Sequence, residues 1–154
     1  MQSKFLESDF FCTKRILLFG INRIQSFPTI NYVKQVDSMY DDFLQTGIDQ
    51  VYFISVCDFL LFDPMMSKLA PRTRSVQLND PVEIKQLQTI LGKKGNLRFL
   101  QEYWQFAAML NKQNVEYYID QPFRNKVSQD TMERIYSNID PVKVLQSIQE
   151  KLNE

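Results

Sequence analysis

Residues Arg15 to Met66 confine this chain to an α/β architecture, because two buried-strand segments stand one helix apart. The first, Arg15-Ile-Leu-Leu-Phe-Gly20, is a short continuous apolar run; the second, Gln50-Val-Tyr-Phe-Ile-Ser-Val56, is rich in β-branched and aromatic residues. Both read as central strands of a parallel sheet. Between them Ile30, Val33, Val36, Tyr40, Phe43 and Leu44 recur at helical spacing, and Gly47 stands where a helix needs a left-handed stop. Strand, helix and strand in that order form a βαβ unit.

At 154 residues with 44% hydrophobic content, the chain suffices for one domain with a real core and is too short for two of ordinary size. Lys plus Arg equals Asp plus Glu at 18 each, so no global charge points to nucleic acid. Met1 to Phe11 mixes Lys4, Glu7 and Asp9 with aromatics and lacks a signal peptide's apolar core, and no stretch approaches the ~20 apolar residues of a membrane span. With two cysteines and no export signal, a cytoplasmic location is expected. There is no Gly-rich phosphate loop, internal repeat or metal-ligand cluster, so neither metal nor cofactor is expected.

Asp63-Pro64, Asp80-Pro81 and Asp140-Pro141 each put a capping residue before a proline that tolerates the first helical position, and mark helix starts. Asp80 with Glu83 approximates a capping box, Ile84, Leu87, Ile90 and Leu91 form that helix's apolar face, and Gly92-Lys-Lys-Gly95 ends it. Gln105 to Leu110 reads as a strand, Asn111-Lys-Gln-Asn114 as a turn and Val115 to Ile119 as the return strand of a hairpin. Gln121 to Val127 is a polar connector, Ser128 caps a helix carrying Met132, Ile135 and Tyr136, and Val144, Leu145, Ile148 and Leu152 stripe the last helix. Arg72 and Arg74 read as ordinary solvated charges.

Three phrases carry a family resemblance: Leu18-Phe19-Gly20, Gly47-Ile48-Asp49, and Ile54-Ser55-Val56-Cys57-Asp58-Phe59-Leu60-Leu61. Their order and wording resemble a single-domain, atypical peroxiredoxin. In that family a strand ending Leu-Phe-Gly leads into Pro-x-x-x-Thr-x-x-Cys, a helix, Gly-Val-Asp, a strand, then Ser-Val-Asn-Asp-x-Phe-Val. The resemblance implies an α/β, thioredoxin-like fold of the peroxiredoxin type over residues 1–154. Its sheet would be mixed and flanked by helices, with a truncated N-terminus and a longer helical C-terminus. Pro64 departs from the family, so the helix after Asp58 is expected to break or restart there.

The catalytic residues of that family are missing from their places. Counting forward from Gly20 puts the peroxidatic cysteine at Thr29 and its threonine at Ser26, with Asn22 for the proline; counting back from Gly47 puts them at Pro28 and Gln25. The family's later arginine falls at Gln105, in Gln105-Phe-Ala-Ala-Met-Leu110. Peroxide reduction needs a thiolate whose pKa is lowered by a helix N-terminus and a cation. Thr or Pro supplies none, and with no histidine in the chain no base activates a threonine hydroxyl. Ser26, Pro28, Thr29 and Gln105 thus outline a vestigial pocket, a mild anion-binding geometry at a helix N-terminus. The plainer reading is Ser26 or Thr29 capping a helix with Pro28 in its first turn.

Cys57 follows the second strand, at the carboxyl edge where open α/β sheets form sites, and is the candidate thiol if redox chemistry survives. The plainer reading is a half-buried small hydrophobe. Cys12 precedes the first strand and falls at the opposite sheet end, too far for a disulfide with Cys57. Phe59, Leu60, Phe62 and Met65, with Pro64, form a dense apolar run where the resembled family dimerises, suited to a homodimer or to docking another protein. The leading reading is a peroxiredoxin-like pseudoenzyme acting by binding or assembly. The alternatives are a thiol-dependent redox enzyme using Cys57, a modulatory subunit of an active peroxiredoxin, or a generic α/β domain, which a different strand order would reveal.

Overall fold

Alternation along three central strands builds two cores, one on each face of a five-stranded sheet. Leu17 and Phe19, Val51 and Phe53, and Ala107 and Met109 point to one face; Ile16 and Leu18, Tyr52 and Ile54, and Phe106, Ala108 and Leu110 point to the other. Successive side chains of a strand face opposite ways, so runs apolar at every position need cover on both sides. The computed structural model describes residues 5–21, 27–56, 60–92, 104–122 and 139–153.

A 3-10 turn (Phe5–Glu7) and a short helix α1 (Asp9–Thr13) precede β1 (Arg15–Gly20). Then follow α2 (Phe27–Ser38), α3 (Tyr40–Gln45), β2 (Gln50–Val56), α4 (Phe62–Leu69), β3 (Arg74–Leu78), α5 (Pro81–Leu91), β4 (Trp104–Asn111), β5 (Asn114–Pro122) and α6 (Pro141–Leu152). The sheet order is β3-β2-β1-β4-β5, with β1 parallel to β2, β2 parallel to β3, and β4 antiparallel to both β1 and β5. Helices α2, α3, α4 and α6 cover one face; the N-terminal turn, α1 and α5 cover the other. At Gly20 a Cβ would fall inside the Phe106 ring, so only glycine lets that ring lie across the end of β1.

Several expectations hold in detail. Asp80 and Asp140 cap α5 and α6, accepting from the N–H groups of Val82 and Val142. Gly47 at φ 112° and Gly92 at φ 84° take the left-handed region after α3 and α5. Lys112 and Gln113, at φ 52° and 71°, make the two-residue hairpin turn between β4 and β5.

Other elements differ from the sequence reading. The single helix expected across Ile30 to Leu44 is two, broken at Met39, whose N–H reaches only to the Val36 carbonyl at 3.0 Å. Beside this break Asp37 turns inward, and its Oδ1 accepts from the N–H groups of Arg72 and Thr73 at 3.0 and 2.9 Å and from Thr73 Oγ1 at 3.1 Å. Asp63 does not cap α4, which starts at Phe62 with Leu61 before it; Pro64 lies within the first turn, where no intrahelical N–H is needed. Glu83, expected in a capping box, accepts from Leu6 N–H at 3.2 Å and ties the N-terminal turn to α5. Arg74 belongs to edge strand β3, with its guanidinium 5.4 Å from the Phe10 ring centroid. Strand β5 continues to Pro122, into the expected connector, and the helix expected after Ser128 lies outside the described residues.

Candidate functional site

The carboxyl end of β1 and the amino end of β4 meet in antiparallel register, Gly20 opposite Phe106, so Gln105 stands at the sheet end from which the chain enters α2. Gln105 shares its face with Ala107 and Met109, the face that α2 covers. Thr29, third residue of α2, is 4% exposed and Gln105 is 8% exposed. Two of the sequence-selected positions, Thr29 and Gln105, are therefore buried. Thr29 lies inside the first turn and is no N-cap; Pro28 is the second helical residue, and Ser26 lies outside the described residues.

Gln105 does not stand open to a ligand shared with Ser26. Its Oε1 accepts from the backbone N–H of Ile139 at 3.0 Å. Ile139, itself buried, joins the same core just ahead of Asp140, the cap of α6. A guanidinium at this position has donors only and could not take that N–H. The carboxamide thus anchors the chain as it enters α6, which runs down the sheet until the Leu152 side chain comes within 3.9 Å of where a Cβ on Gly47 would stand.

Tyr32 occupies the next turn of α2, on the same side as Thr29, and escaped the helical pattern read from the sequence. Its ring packs edge-on against Phe19 at 6.2 Å, and its hydroxyl is buried with no hydrogen-bond partner among the described residues. Burial, and then the nearby Tyr117, push the Tyr32 pKa up. Burial raises that of Tyr117 as well, with a hydrogen bond from Ser147 of α6 opposing it. Apolar spacing alone had no means to flag Tyr32, because a tyrosine in a helical stripe reads as core.

Cys12 lies in the last turn of α1, at the opposite end of the sheet. Its Sγ donates to the Leu6 carbonyl at 3.4 Å and accepts from Gln113 Nε2 at 3.2 Å. The amino ends of β1 and β2 are joined near it by Arg15 N–H donating to Asp49 Oδ2 at 2.9 Å. Seven residues of β2 extend roughly 20 Å beyond that point, and a disulfide requires Cα atoms within about 7 Å. Cys57 itself lies outside the described residues.

The apolar run after β2 divides. Leu60 is 93% exposed and Leu61 61%, whereas Phe62 is fully buried in the core beneath α4. Phe62 is therefore not an interface residue: as the first residue of an amphipathic helix it faces the sheet. Met65 is half-buried against the same core, and Phe59 lies outside the described residues. Among the described residues no group of His, Cys, Asp and Glu could hold a metal, and no helix is long and apolar enough to cross a membrane.

A five-stranded mixed sheet with helices on both faces, and a site corner where β1 enters α2, is a thioredoxin-like fold of the peroxiredoxin type. The same fold appears in the crystal structure of reduced Prx3 in complex with hydrogen peroxide from Vibrio vulnificus, with a TM-score of 0.61 at 12% identity, covering 91% of this chain and 84% of that one. In sequence the chain is similar to peroxiredoxin y4vD of Sinorhizobium fredii, 27% identical over 115 residues, 73% of this chain and 61% of the relative. It is also similar to a peroxiredoxin of Rhizobium etli, 26% identical over 109 residues, 70% of this chain and 61% of that protein. The matches span less than two thirds of either relative. No family model matches the chain. In sequence the chain is thus similar to peroxiredoxins, and in fold it is thioredoxin-like of the peroxiredoxin type.

Proposed function

We propose that this peroxiredoxin-like chain lacks the family's peroxide-reducing site and works in the cytoplasm as a pseudoenzyme, by binding or assembly. The observation that carries the reading is the state of Gln105: at the position that the resemblance gives to the catalytic arginine stands a neutral side chain whose oxygen is taken by Ile139 N–H. Peroxide reduction forms a bond between a thiolate sulfur and one peroxide oxygen and expels the other as water or hydroxide, so it needs an ionised sulfur at the helix entrance. Neither Pro28 nor Thr29 has one, and Cys12 is held at the far end of the sheet. On this reading Ser26, Pro28, Thr29 and Gln105 are the remains of that site, and the Gln105 oxygen is occupied by Ile139 N–H. Leu60 and Leu61 are the exposed part of the apolar run that would meet a second copy or another protein.

The test is peroxide consumption with a thiol reductant, run beside mass-spectrometric mapping of sulfenic-acid trapping at Cys12 and Cys57. No turnover and no trapping is the expected result. Turnover that disappears in Cys57→Ser would overturn the reading and make Cys57 a relocated catalytic thiol.

A further inference from the structure

We draw no further inference here: the strongest candidate, the surface patch where Val115 and Ile119 stand exposed on β5 at the end of the sheet order, carries nothing because nothing in the structure shows what covers it.

Discussion

Replacing Gln105 by methionine keeps the length of the side chain and removes its acceptor, leaving the N–H of buried Ile139 without the bond now made at 3.0 Å. Stranding a buried donor in this way costs about 1–3 kcal/mol. If the loss is confined to the segment that the bond anchors, the opening equilibrium of residues 139–152 rises about 5- to 150-fold, since each 1.4 kcal/mol is a factor of ten. Hydrogen exchange read by mass spectrometry over 139–152 and over β1 measures this directly. Exchange should accelerate in α6 and stay unchanged in β1, whose amides pair with strands on both sides. Gln105→Glu retains an acceptor oxygen and should protect α6 better than methionine does. Gln105→Arg, which restores the family's cation but has donors only, should release α6 at least as much. Should α6 exchange equally fast in the wild type and in Gln105→Met, the Ile139 bond does not close this corner and the reasoning fails.

Asp37→Ala strips three donors of their shared acceptor and should lower stability by about 3 kcal/mol, or melting by about 6–12 °C, with Asp37→Asn losing less because one carbonyl remains; thermal unfolding checks the ranking. Tyr32→Phe removes a buried hydroxyl that has no partner among the described residues and should stabilise by about 1 kcal/mol in urea unfolding, whereas a loss of that size would mean the hydroxyl has a partner. Because the folded state raises the Tyr32 pKa above the ordinary tyrosine value of about 10, the folded chain holds that proton longer than the unfolded chain does. Stability should therefore be level in this group below about pH 10 and fall above it by up to about 1.4 kcal/mol per pH unit, a slope that Tyr32→Phe should reduce in urea midpoints between pH 9 and 11. If the chain dimerises through its exposed leucines, Leu60→Glu with Leu61→Glu should halve the mass seen by light scattering; an unchanged mass removes these residues from the interface.

The central strands were legible in the chain because both faces of the sheet are covered. Arg15–Gly20, Gln50–Val56 and the hairpin around Lys112-Gln113 show apolar runs and turn chemistry that depend on neighbours in the chain. The caps at Asp80 and Asp140 and the stop at Gly92 were legible for the same reason, each bonding or bending within a few residues. Edge strand β3 was not: Arg74, Ser75 and Gln77 form a strand only because β2 offers a free ladder beside them. The break at Met39 stands beside Asp37, whose partners are 35 and 36 residues away.

The candidate site divides along the same line. Sequence by itself determined that neither Thr29 nor Pro28 carries a thiol and that Gln105 carries no charge, since a side chain's chemistry is settled by its identity. Only the tertiary structure decided that Phe62 is core while Leu60 and Leu61 are surface, that the Tyr32 hydroxyl is buried without a partner among the described residues, and that Gln105 holds Ile139. Burial and hydrogen bonding between residues far apart depend on how helices stack on a sheet, and no local pattern of spacing contains that information.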